Sequence, residues 1–321
     1  MFTPVDTSLG ALLLYQGSAG LLQHTGKVLG ISSLLSGSVT RPGWENLPII
    51  TGLISSIAPV YLFAPALLPK YPSLLYTWEA AAATVGTGVV NLCGCTSGHM
   101  LCGLSRLSPR SLIATGIFFT TAAITANLRN RFPSCADDQP CYLPTFPSMY
   151  NLAFMLVVVM LSQVVNDFLV PRLRPDWPKA SALYSYIAGF QFGLGLLISG
   201  MASPGKVLGI FSLRDFSRFD PSLLLVLVFA VGPSLWSWMR LKRVYGNEKG
   251  KKPPTFGSMF YLPTATVADI DWRFILGAIS FGVGWGLTGV CPGPGLLRTI
   301  LQPSWGLWWM TGFQLGNFLD T

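Results

Sequence analysis

Residues 149–169 read MYNLAFMLVVVMLSQVVNDFL, a run whose single charged side chain is Asp167. A helix of this length and composition meets the requirement of roughly 20 apolar residues for crossing the hydrocarbon core of a bilayer. Similar stretches lie at 8–25, 46–68, 76–95, 108–127, 183–202, 221–239, 272–290 and 304–319, which with 149–169 make nine expected spans. The 321 residues are 51% hydrophobic and 11% charged, against about a quarter charged in soluble domains. Too few polar side chains remain to cover a water-exposed surface. The expected fold class is therefore all-α, a polytopic transmembrane helix bundle. The first residues, MFTPVDTSLGALLLYQGSAG, lack a basic stretch before their apolar run, so they are expected to belong to the first span and not to a cleaved signal peptide.

The net charge of +8 is spread between the apolar runs, as topology signals are. The densest cluster is Arg240, Lys242, Arg243, Lys249, Lys251 and Lys252, with Glu248 as its only acid. This places the 240–270 loop and the C-terminus in the cytoplasm, with membrane lipid in contact and no nucleic-acid role. Counting back through the spans puts Arg172, Arg174 and Lys179, then Arg106 and Arg110, then Arg41 on the same side. The N-terminus and the 128–148 loop fall on the other side, where Arg129 and Arg131 depart from the charge rule but have Asp137 and Asp138 close by. That loop carries CADDQPC, whose Cys135 and Cys141 either form a disulfide or remain two thiols. With no transit peptide in evidence, the plasma membrane is the expected location.

GKVLGI occurs twice, at 26–31 and 205–210, and GTGVVNLCGCTSG at 86–98 answers GVGWGLTGVCPGP at 282–294, setting Cys95 opposite Cys291. These matches predict two transmembrane halves, 1–127 and 183–321, joined by a linking loop and span at 128–182. The span count makes the halves inverted repeats, whose interface is where transporters hold their substrate.

Short apolar pieces at 27–36, 98–107, 205–213 and 293–302 are too short to span and predict re-entrant half-helices. Cys95-Thr96-Ser97-Gly98-His99 opens one, and Cys291-Pro292-Gly293-Pro294-Gly295 opens another. Free N–H groups at a helix start favour an anion, glycine admits close approach, and a thiol is a soft, weak donor suited to a sulfur-bearing anion. A cysteine is equally a common buried apolar residue, which is the plainer account of Cys93 and Cys102. His99 either donates to the anion or caps its turn. Lys27 and Lys206, at matched repeat positions, either meet near the centre and attract the anion or snorkel to an interface; Arg106 and Arg298 invite the same two readings. Glu79 lies near the start of a span. Asn166-Asp167 is a candidate for a coupling cation or proton, or a polar helix end. With two histidines and no metal-ligand spacing among the cysteines, no metal is expected. There is no Walker loop, no GxGxxG after a strand and no GxSxG elbow.

The segments GCTSGHMLCGLSRLSPRSLIATGIFF (94–119), ISGMASPGKVLGIF (198–211), FDPSLLLV (219–226) and FGVGWGLTGVCPGPGLL (281–297) resemble the YeeE/YedE sulfur-transport family, whose bacterial members include thiosulfate permeases. In relatives the two halves can be separate proteins; here they look fused. The resemblance implies a permease for a small sulfur-containing anion such as thiosulfate or sulfide, working without a cofactor. It makes Cys95 and Cys291 the relay that contacts the anion, with Gly94, Gly98, Gly293 and Gly295 shaping the constrictions. Met201 stands where such permeases carry a further cysteine and offers a soft contact without an S–H donor. The alternative is a membrane thiol sulfurtransferase, or a relay working with a soluble sulfur carrier at the basic loop 240–252.

Overall fold

A computed structural model describes residues 1–40, 46–71, 93–129, 132, 135, 139–173, 179–246 and 250–318. Most of the expected span 76–95, with Glu79, and the charged residues Arg41, Arg131, Asp137, Asp138, Arg174, Glu248 and Lys249 lie outside them. The chain is all-α. Its helices are α1 (Pro4–Thr25), α2 (Ile31–Thr40), α3 (Leu47–Phe63), α4 (Pro109–Arg129), α5 (Met149–Arg172), α6 (Ala180–Ile198), α7 (Pro204–Gly209), α8 (Ser222–Val244), α9 (Trp272–Thr288), α10 (Pro292–Leu301) and α11 (Pro303–Phe318). A short π-helical segment, Ser97–Gly103, precedes α4.

Local chemistry sets several boundaries. Pro4 and Pro292 occupy first-turn positions, where no backbone donor is needed. Ser148 and Asp271 cap α5 and α9 by accepting from the N–H groups of Asn151 and Phe274. α1 stops at Gly26, whose left-handed φ of 75° lets its N–H reach the Leu22 carbonyl.

The span count is corrected. Among the described residues four helices, α4, α5, α6 and α8, are long and apolar enough to cross a bilayer; the bent pair α9 and α10, turned by 41°, makes up to five. α1 has the length but carries Asp6, Gln16 and His24, whereas α11, with 16 residues, reaches about 24 Å at 1.5 Å per residue, short of the roughly 30 Å core. The inverted repeat does not stand either. The first GKVLGI leaves left-handed Gly26, pairs at Lys27 with Tyr261, and becomes helical only at Ile31, whereas the second lies almost wholly within α7 behind Pro204. Identical hexapeptides thus take different structures, because the helix-ending glycine and the helix-starting proline around them differ.

α1 is the central helix. It runs along α6 and also meets α5 and α8, while α3 packs on α6 and α4 packs on α9. Glycines set how closely these pairs approach: a Cβ on Gly189 of α6 would sit 2.1 Å from the Ile49 carbonyl oxygen of α3, and one on Gly286 of α9 would sit 2.5 Å from the Ala122 carbonyl oxygen of α4. Between α1, α5 and α6, Asn166 accepts from Tyr184 and Gln191 and donates to the Gln16 carbonyl, so it serves as a buried helix-to-helix link. Around the outside, Leu156, Val157, Met160 and Leu161 of α5 and Leu224 and Val228 of α8 are exposed. An apolar surface of this kind fits lipid, and the protein is a membrane protein.

Candidate functional site

The loop before the π-helical segment is gripped by the start of α2. The Ile31 N–H donates to Ser97 Oγ at 3.0 Å and the Ser32 N–H to Cys95 Sγ at 3.5 Å, giving partners to groups that have none within their own helix. Cys95 Sγ and Ser97 Oγ lie 2.9 Å apart. Cys291 is the residue before α10, and it lines the same cavity as Thr96. Met201 is buried in the turn between α6 and α7, where its N–H donates to Ser199 Oγ.

These three sulfur-bearing residues come from segments far apart in sequence and line one cavity of about 60 Å³, together with Gly293, Leu14 of α1 and Trp285 of α9. Cys95 also lines a chamber of about 380 Å³ with Gly94, Gly98, His99, Arg106 and Arg110. A larger chamber of about 900 Å³ is lined by Lys206, Arg129, Arg218 and Arg298, with Asp6 and Asp220 among them. Their order follows α1: the larger chamber includes Thr3 and Asp6, the small cavity Leu14, and the other chamber Val28 to Gly30. A 22-residue helix is about 33 Å long, so the small cavity is a neck between two basic chambers at opposite ends of the bundle.

The expected site residues divide accordingly. Cys95, Cys291, Met201 and Gly293 meet at the neck; Gly94, Gly98 and His99 line the smaller chamber; Lys206 lines the larger one. His99 is held by the protein, with Nε2 donating to the Cys93 carbonyl and Nδ1 2.8 Å from Ser111 Oγ. Lys206 is buried and its ammonium donates to Thr3 and, at 2.9 Å, to Thr7. Lys27 follows the far end of α1, so the two lysines do not meet. Gly295 lies against the Trp309 ring, 2.5 Å from where its Cβ would be, which makes it a packing position outside the neck. Cys93 donates to the Gly94 carbonyl at 3.1 Å, and Cys102 is buried. Thr96 and Trp285 line the neck without having been singled out from sequence, although both lie inside the motifs that carry the cysteines. Cys135 and Cys141 form a disulfide with a Cα–Cα distance of 5.5 Å. No cluster of metal-ligating side chains occurs among the described residues.

Residues 181–307 match a family of unknown function, DUF6691. The chain is also similar to proteins of Xylella fastidiosa described as probable transporters. One from strain 9a5c is 40% identical over 121 residues, 36% of this chain and 74% of that protein. Two from strain Temecula1 are 39% identical over 112 residues and 35% identical over 125 residues, covering 67% and 89% of their lengths and 34% and 37% of this chain. With relatives 35–40% identical and matched over 67–89% of their length, the chain belongs to the family of these bacterial probable transporters.

Proposed function

We propose that the protein is a permease for a small sulfur-containing anion, with thiosulfate and sulfide as the first candidates. The observation that carries this reading is the convergence of Cys95, Met201 and Cys291 on one neck with basic residues on either side. Arginine and lysine in the chambers raise the local anion concentration by their field. The thiols and the thioether then offer polarizable, individually weak contacts, and weak contacts permit release as well as entry. The matched motifs around the cysteines support the same substrate class.

The orientation follows from placement at the ends of α1. The disulfide loop joins the N-terminal end, with the Phe2 N–H donating to the Cys141 carbonyl. The 250–261 segment joins the other end, where the Phe256 N–H donates to the His24 carbonyl and the Tyr261 N–H to the Gly26 carbonyl. A disulfide belongs to an oxidising compartment and a basic loop to the cytoplasm. The larger chamber therefore opens to the outside of the cell membrane and the smaller one to the cytoplasm, where the basic loop is also the place for a soluble sulfur carrier to dock.

The test is uptake of labelled thiosulfate and of sulfide into proteoliposomes by the parent protein and by folded Cys95→Ser and Cys291→Ser variants. Uptake by the parent that falls in both variants is the expected result. Parent uptake no greater than that of empty vesicles for both compounds refutes the assignment.

A further inference from the structure

We infer that the indole N–H of Trp285 is a substrate-binding donor of the neck, giving a hydrogen bond to the anion as it passes between Cys95 and Cys291. The inference rests on the permease reading and names a residue that neither the motifs nor the relatives assign.

An anion entering a cavity of about 60 Å³ sheds most of its water, because so small a space admits few water-sized groups beside it. Something must replace the lost hydrogen bonds. Much of the wall offers nothing: Leu14, Phe192, Leu196 and Val226 are hydrocarbon. Polar side chains of the neck are already engaged with protein. Cys95 and Ser97 contact each other, and Ser97 and Cys95 also accept from the first N–H groups of α2.

Trp285 is the exception. Its side chain is 2% exposed, it lines the neck, and its Nε1 has no hydrogen-bond partner among the described residues. A buried indole N–H ordinarily finds a partner, since leaving it unpaired is unfavourable by roughly 1–3 kcal/mol. The ring is fixed among its neighbours. It stacks on Phe281 at 6.0 Å and meets Phe211 and Phe118 edge-on at 5.0 and 5.9 Å, so the indole is held in place before any ligand arrives.

The character of this donor also bears on the substrate class. It is neutral, so it adds no charge pair deep in the membrane, where a buried cation would hold an anion too tightly to release it. One neutral N–H and two thiols replace little of a tight hydration shell. They suit an anion whose charge is spread over polarizable sulfur, such as thiosulfate or hydrosulfide, better than sulfate.

The experiment replaces Trp285 with benzothienylalanine, which keeps the bicyclic ring and puts sulfur where the N–H was, alongside Trp285→Phe. Uptake in proteoliposomes is measured with melting in detergent. In parallel, the indole 15N–1H resonance of Trp285 in the labelled parent, assigned by its loss in Trp285→Phe, is followed as thiosulfate, hydrosulfide or sulfate is added. The expected result is a saturable shift with thiosulfate or hydrosulfide, weaker with sulfate, and an unchanged melting temperature in the isostere with uptake about tenfold lower, the scale of one hydrogen bond to a charged group. A parent that transports while its resonance stays still and its isostere transports equally well overturns the role of Trp285 and leaves the permease reading intact; its N–H is then satisfied by the face of a neighbouring ring. A parent that transports neither compound refutes the permease reading for them, and the resonance then decides the inference by itself: a shift upholds anion binding at Trp285, and no shift overturns it.

Discussion

Arg298 combines burial, charge and position in a single side chain. It lies on α10 behind Cys291, its guanidinium 4.7 Å from the Tyr71 ring centroid and 4.1 Å from that of Trp305, with Nε donating to Gln302 at 3.0 Å. Two aromatic faces and an amide hold the charge at the wall of the larger chamber without neutralising it. Arg298→Met keeps the apolar stem and removes the charge. Uptake at low substrate should fall about threefold to tenfold and become less sensitive to salt, since steering by charge is screened by ions; an unchanged salt dependence would place the arginine outside the route. At the neck, Met201→Phe adds a rigid ring to a cavity of about 60 Å³. Transport should drop by about tenfold or more while the protein stays folded, because a constriction that narrow has no spare width. Normal uptake in that variant would mean the solute passes elsewhere.

The helices show why the glycines of this chain are not equivalent. Gly189 packs against the Ile49 backbone, whereas a Cβ on Gly98 would meet nothing within 4 Å. Gly189→Ala should therefore lower the melting temperature in detergent, with an overpacking penalty of about 1–3 kcal/mol, and Gly98→Ala should leave it unchanged. Equal melting of both variants would contradict the α3–α6 packing. A second check lies at α9, where Asp271 caps the helix that carries Trp285. Asp271→Ala should destabilise the protein by about 1 kcal/mol, measurable as a lower denaturation midpoint. The short helices α7 and α10 were legible as short apolar pieces after glycine and proline. Their partners were not, because a hydrophobic piece of six to ten residues states only that it is buried and leaves open against what.

For the molecule as a whole, the outer surface and the two ends make claims that cell-based measurements can check. Val157 is 64% exposed in the middle of α5, so Val157→Lys sets a charge against lipid, at about 2.5–3.5 kcal/mol on insertion scales; membrane-inserted protein should fall accordingly. Normal levels would move this face into a protein contact. After mild reduction, a membrane-impermeant maleimide added outside spheroplasts should label Cys135 and Cys141. Labelling that appears only after lysis would invert the proposed orientation.

The sequence by itself determined that the chain is helical, that it lives in a membrane, and that Cys95 and Cys291 sit in glycine-rich breaks. All of these are sums over neighbouring residues: apolar length, charge placement and local helix starts. It misled where local similarity stood in for geometry, in the count of nine spans and the inverted repeat. Whether a run reads as a span by length and composition depends on its polar residues and helical length: α1, enclosed by α5, α6 and α8, is long but carries polar residues, and α11 is short. Only the tertiary structure brought Cys95, Met201, Cys291 and Trp285 to one neck and divided the basic residues between two chambers. Those four residues belong to different helices or loops, and the distances between them follow from how closely glycine lets α1, α6 and α9 approach their neighbours, which no stretch of sequence encodes alone.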